Sequence, residues 1–180
     1  FEKIEGTKFV PEVIVWEKIN KFYDQYCIND VLSVYYQDNG SCFIKSGLSA
    51  EERPRNIIPT ILGESNKYKR MLGGDHHEFY IGEDAVALCG LLNFKSPMKR
   101  AVIKDWDIME KIWGHIFTNE LRVDPEEHNL LITQPVKNIN QNQEKIAEHM
   151  FETFNVPGLY LADSTLLSLY ATGKYTGMVI

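Results

Sequence analysis

Asp38, Gly40, Ser41 and Lys45 bring four phosphate-handling groups into one short stretch. A carboxylate can hold the hydration shell of Mg²⁺, which prefers oxygen ligands and keeps several waters. A glycine lets the backbone approach a phosphate, and the amides of a tight turn can be aimed at its oxygens. A lysine supplies the neutralising charge. Asn39-Gly40 is also the ordinary signature of a two-residue hairpin. Residue types and spacing alone therefore leave a phosphate turn and a plain hairpin both open.

The elements that must carry this turn are legible from pattern. Val31–Tyr36 is an apolar run and reads as a strand, and Cys42–Ser46 reads as its antiparallel return. Arg55–Leu62 reads as a further strand whose pairing Pro59 restricts. Glu64–Glu78 is polar and glycine-containing and reads as an exposed loop. Glu83–Cys89 reads as a short helix ended by Gly90. Trp106 to about Leu121 is amphipathic, with Ile108, Met109, Ile112, Trp113, Ile116 and Phe117 on one face and Asp105 as its N-cap. Leu130–Thr133 and Leu159–Ala162 read as strands, Asn140–Phe154 and Ser164–Thr172 as helices, the last ended by Gly173. This alternation predicts a mixed α/β sheet.

Residues 1–30 read as a separate extension. Phe9-Val10 and Val13–Val15 flank Pro11 and look extended. Trp16, Ile19, Phe22, Tyr23 and Tyr26 fall on helical spacing, giving an amphipathic helix with an aromatic face. That face either packs on the chain's own lobe or docks on a partner, aromatics being good interface anchors.

Composition sets bounds. At 180 residues, with 44% hydrophobic and 24% charged residues, the chain is long enough to bury a real core and reads as a globular protein of one or two domains. A net charge of −6 argues against nucleic-acid binding as the main role. No apolar run reaches the length of a membrane span, and no signal peptide is visible. Cys27, Cys42 and Cys89 are an odd number without metal-site spacing and read as reduced thiols of an intracellular protein.

From Val31 onward the chain resembles actin and the actin-related proteins. The blocks that carry the resemblance are Asp38–Ser41, Ile44–Gly47, Pro54-Arg55 with Pro59, Tyr80–Ala85, Trp106 with Met109–Trp113, Asn119–Val123, Pro125–His128, Leu130–Thr133, Met150–Asn155, Leu167–Ala171 and Thr176-Gly177. The resemblance implies an α/β, actin-like nucleotide-binding fold of the kind shared with hexokinase-type sugar kinases and chaperones, with residues 31–180 as its first lobe. It also implies that ATP or ADP with Mg²⁺ sits in a cleft between two lobes. Asp38 would order the hydration shell of the metal. Gly40, Ser41 and the backbone of Cys42 and Phe43 would meet the terminal phosphates, and Lys45 would bridge them. The chain opens on Phe1 and closes on Met178-Val179-Ile180, an apolar run that reads as a strand. The expectation is a fragment of a two-lobed protein, a natural half being the alternative.

Three departures from the family pattern are informative. Cys42 stands where the family has a second glycine, which crowds the phosphate turn. Ser164 stands where the family has its water-positioning glutamine, and serine is too short for that task; its bland role is a helix cap. Since positioning supplies most of phosphoryl-transfer catalysis, this predicts a slow or inactive ATPase. Arg100 replaces a common histidine, and Lys99-Arg100 reads as a solvated pair. The loop Glu64–Glu78 aligns with the segment that actin inserts into its filament neighbour. There Met71 aligns with an oxidisable methionine, while Lys67, Lys69, Arg70 and Asp75 suit an apolar groove poorly. His76-His77 is a weak metal candidate, adjacent histidines on a loop rarely converging. His115, His128 and His149 read as structural or surface.

The expected function is a divergent actin-related protein serving as a structural or docking subunit of a larger intracellular assembly and binding ATP or ADP weakly or not at all. That assembly would be cytoskeletal, ciliary, dynein-associated or chromatin-remodelling. Its partners would be other proteins of the assembly, actin or actin-related proteins among them, with no membrane and no direct nucleic acid. The partner-binding residues would be Trp16, Ile19, Phe22, Tyr23 and Met71. The expected location is cytoplasmic and cytoskeletal, with cilium or nucleus as variants. The alternative is a filament-forming, ATP-hydrolysing actin of a divergent lineage. A sugar-kinase-like or chaperone-like relative is disfavoured by the blocks from Trp106 onward.

Overall fold

A computed structural model describes residues 34–49, 51, 53–65, 78–99, 101–135, 140–173 and 175–178. The aromatic N-terminal segment with Trp16, Ile19, Phe22 and Tyr23 lies outside the described residues, as do Met71 with the rest of 66–77, Cys27, Arg100 and Val179-Ile180.

Strands β1 (Val34–Asn39), β2 (Phe43–Leu48) and β3 (Asn56–Pro59) form an antiparallel meander. Strand β4 (Leu62–Ser65) pairs with β5 (Phe79–Ile81) and β6 (Leu92–Lys95) in a second, three-stranded sheet, beside helix α1 (Gly82–Ala87). Strands β7 (Met98–Lys99) and β8 (Val102–Ile103) form a small ribbon. Helix α2 (Trp106–His115) then leads to β9 (Asn129–Gln134), and α3 (Asn140–Glu148) leads to β10 (Leu159–Asp163) and α4 (Ser164–Ala171). β9 and β10 join the first sheet in parallel with β1, giving the order β10-β9-β1-β2-β3. This is an α/β lobe. A parallel pair cannot be closed by a tight turn, so helices must bridge β9 to β10.

Burial follows position in the sheet. The middle of β9 is buried residue after residue, Leu130 to Thr133, as a parallel central strand requires. In β2 the apolar Ile44 is buried while Phe43 is half exposed, the alternation of a strand with one open face. The core face is capped by α2, whose Ile108, Met109, Ile112 and Trp113 meet Ile44, Ile58, Leu130 and Ile132 in one cluster with Ile146 and Met150 from the α3 segment. Asp105 caps α2 as expected, its Oδ1 accepting from the Ile108 amide at 3.1 Å.

Both long helices finish in a wide π-type turn, Ile116–Leu121 and His149–Thr153. Each is closed by a left-handed residue, Arg122 (φ 56°) or Asn155 (φ 51°). The amides of Val123 and Val156 then reach back to the carbonyls of Phe117 and Met150, each at 3.1 Å. Such turns satisfy the orphan carbonyls of a helix end. The predicted helices over 106–121 and 140–154 are therefore right in extent, with their last turns loosened. His149 opens one of these turns. Its ring stacks on Trp106, with centroids 5.4 Å apart and planes 2° from parallel. Its Nδ1 lies 3.0 Å from Glu110, and Lys145 Nζ stands 5.6 Å from the Trp106 ring. It is thus structural, as its isolation in the sequence suggested.

Two expectations are corrected. Arg55–Leu62 is not one strand but two, β3 and β4, which belong to different sheets. Pro59 has no amide to continue a ladder, and the Ile61 amide turns back to the Pro59 carbonyl at 2.9 Å. The predicted loop Glu64–Glu78 is shorter, because Glu64 and Ser65 complete β4 and pair with Asn93 and Leu92. The strands β6 to β8 had no expectation attached to them; they are too short and too mixed in polarity to show a period. Among the described residues no helix is long and apolar enough to cross a membrane.

Candidate functional site

The parallel strands β1, β9 and β10 end at one edge of the sheet. The register pairs Gln37 with Ile132 and Leu161 with Ile132, which brings Asn39, Gln134 and Asp163 to the same level. In open α/β sheets, ligands bind beyond the carboxyl ends of the strands. The structure brings the predicted phosphate turn and the predicted hydrolysis position to this one edge. They are separated by β9, hence by two strand spacings, or about 10 Å.

The turn itself comprises Gly40, Ser41 and Cys42 between β1 and β2. Asp38 stands directly across from Lys45 in register, so the acid and the lysine occupy neighbouring positions on one face. Gly40 is required by space: a Cβ there would lie 2.2 Å from the carbonyl oxygen of Phe43. Cys42 and Phe43 are exposed at the edge, and Lys45 is half buried beneath them.

Two neighbours hold the turn. Thr60, fully buried, donates its hydroxyl to the Gly40 carbonyl at 2.8 Å and its amide to the Cys42 carbonyl at 2.9 Å. Ala101, between β7 and β8, donates its amide to Ser41 Oγ at 2.8 Å. Ala101 does so from a left-handed conformation (φ 60°), which costs a non-glycine residue roughly 1–2 kcal/mol. A serine hydroxyl that accepts one bond still has its own proton to donate, so Ser41 can offer O–H to a phosphate oxygen.

Beneath the turn lies a polar post that sequence reading missed. Gln37 and Asn39 point into the core. Asn39 Oδ1 accepts from Gln37 Nε2 at 2.6 Å and from Trp113 Nε1 at 3.5 Å, tying the end of β1 to α2. Asn39 Nδ2 is buried without a partner. An amide inside the alternation of a half-buried strand is the signal that could have marked this post.

The β10–α4 junction is built differently. Asp163, not Ser164, is the N-cap, and its side chain makes no capping bond. The predicted cap role of Ser164 is therefore corrected: Ser164 is the first helical residue, half buried, its carbonyl accepting from Ser168 Oγ at 2.8 Å. Asp163 is drawn aside by β9, its Oδ1 accepting from Gln134 Nε2 at 3.4 Å, while Gln134 Oε1 accepts from Gln143 Nε2 at 3.0 Å. This Gln143–Gln134–Asp163 relay was also missed, because its members are scattered along the sequence and meet only through parallel pairing.

Among the described residues no three His, Cys, Asp or Glu side chains converge. A divalent ion at this edge would be held by waters and phosphate oxygens with Asp38 as the protein's carboxylate, which suits Mg²⁺. The narrow turn at Gly40 and the half-buried Lys45 beneath it fit a polyphosphate. A separate cleft of about 410 Å³, lined by Phe79, Tyr80, Asp84, Lys111, His115 and Asn119 among others, contains none of the residues expected to bind phosphate, metal or a partner. Residues 31–180 match the family model described as Actin, and with the strand order and edge geometry above this chain belongs to the actin family.

Proposed function

We propose that this chain is a structural subunit of the actin family that holds ATP or ADP weakly, with Mg²⁺, at the β1–β2 turn and acts by docking within a larger protein assembly. One observation carries the reading. The turn keeps the parts that bind phosphate, whereas the β10–α4 junction offers a short serine beside an aspartate already engaged by Gln134. Bound Mg²⁺ would neutralise phosphate charge. Around it, Ser41 and the turn amides donate to phosphate oxygens, Lys45 supplies positive charge, and Asp38 orients water. Orienting an attacking water needs a long polar side chain at the start of α4, where Ser164 falls short.

The docking role draws on the aromatic spacing of Trp16, Ile19, Phe22 and Tyr23 and on the charged recasting around Met71. The partners in this reading are subunits of a cytoskeletal, ciliary or chromatin complex, actin-related proteins among them. Calorimetry with Mg-ATP, followed by a phosphate-release assay on the intact protein, tests the nucleotide half. Saturable binding with phosphate release at least ~10-fold slower than from actin is expected, a barrier difference of about 1.4 kcal/mol. Release at actin's rate would end this reading. Replacing Trp16 and Phe22 with Ala should release the chain from its assembly, and unchanged association would end the docking half.

A second reading, a filament-forming ATPase, is favoured by the retained Asp38, Ser41 and Lys45. Sedimentation of the intact protein with Mg-ATP separates the two.

A further inference from the structure

We infer that Thr60 is the positioning residue of the phosphate turn, the group that aims the amides of Ser41 and Phe43 at a phosphate. This rests on the nucleotide reading above and goes beyond it. A trans peptide unit is planar, and its C=O and N–H point in opposite directions. The Gly40 carbonyl shares its plane with the Ser41 amide, and the Cys42 carbonyl shares its plane with the Phe43 amide. Thr60 binds both carbonyls, one through its hydroxyl at 2.8 Å and one through its own amide at 2.9 Å. Both carbonyls are thereby drawn toward Thr60, and both amides are turned away from it. Two amides separated by one residue and held in this way form a donor pair of the kind that binds anions.

The anchor is itself well fixed. Thr60 is fully buried. It follows Pro59, whose φ is locked. The link continues through Ile61, whose carbonyl accepts the Gly82 amide at 3.2 Å at the start of α1. Thr60 also lies in the link between β3 and β4, so it connects the phosphate turn to the strand that enters the second sheet.

The side chain and the backbone of Thr60 can be separated by experiment. Thr60→Val keeps shape and amide but removes the hydroxyl, Thr60→Ala removes it without bulk, and Thr60→Ser restores it. Mg-ATP binding by calorimetry and hydrogen exchange at the Ser41 and Phe43 amides without ligand are measured on the intact protein. Thr60→Val is expected to weaken Mg-ATP about tenfold, the effect of one buried hydrogen bond. It should also speed exchange at Ser41, while Thr60→Ser stays within about threefold of the parent in affinity. If valine is not accommodated, the alanine variant gives the same comparison. Parent-like binding by folded Thr60→Val or Thr60→Ala would overturn the inference while leaving the nucleotide reading intact. Weakened binding with unchanged exchange would overturn it too, by placing the effect elsewhere. Failure of the parent protein itself to bind Mg-ATP or Mg-ADP would overturn the nucleotide reading and this inference with it.

Discussion

The β1–β2 turn and the β10–α4 junction lie on the same edge of one sheet and differ in how tightly they are built. Every part of the turn is held: Gly40 by a space that admits no Cβ, Ser41 by Ala101, and the carbonyls on either side of Ser41 by Thr60. The junction has an N-cap without a capping bond and a serine whose side chain reaches little beyond its own helix turn. Binding a polyphosphate needs fixed donors, whereas orienting a water needs one long polar side chain. In the proposed reading the turn meets the first requirement and the junction does not meet the second.

Gly40→Val should have the largest effect. The added side chain collides with the Phe43 carbonyl, so Mg-ATP binding is expected to fall by more than ~100-fold, a loss of about 2.7 kcal/mol or more. Calorimetry reads the affinity and a thermal melt reads the accompanying destabilisation. Unchanged affinity would show that the turn is not where nucleotide binds.

Lys45→Ala comes next. Removing one charge-assisted contact is expected to weaken Mg-ATP by about 10- to 100-fold, corresponding to roughly 1.5–3 kcal/mol. A melting curve recorded beside it separates lost ligand contact from lost fold.

Ser164→Gln acts on the junction instead of the turn. A glutamine at the start of α4 should raise phosphate release about tenfold while leaving affinity unchanged, since the gain is confined to the transition state. Equal rates for the two proteins would mean that the junction is not what limits hydrolysis.

The smallest effect is a control outside both regions. Asp105→Ala removes the cap of α2 and should cost about 1 kcal/mol of stability in a denaturant melt, with Mg-ATP affinity unchanged.

These regions were not equally legible in the sequence. Asn39-Gly40 between two apolar runs announced a hairpin, because turn chemistry is local. Helix α2 was equally plain, since its apolar spacing, its cap and its length all agree. The break at Pro59-Thr60 does not show in the pattern, because apolar residues on both sides conceal a change of sheet. The relay through Gln134, Gln143 and Asp163 depends on parallel pairing between distant strands, which no local pattern encodes. The Gln37–Asn39–Trp113 post was hidden differently: two amides in a strand look like its solvent face until a helix is found to cover them.

The stack of His149 on Trp106 has an optical consequence. An imidazole lying parallel to an indole at 5.4 Å joins the start of α2 to the turn that ends the α3 segment. Indole emission is sensitive to a neighbouring imidazole and to its charge, so Trp106 is a built-in fluorescent gauge of that joint. Light from this one ring, isolated by subtracting a Trp106→Phe variant, would follow the seating of the two helices in real time without any attached dye.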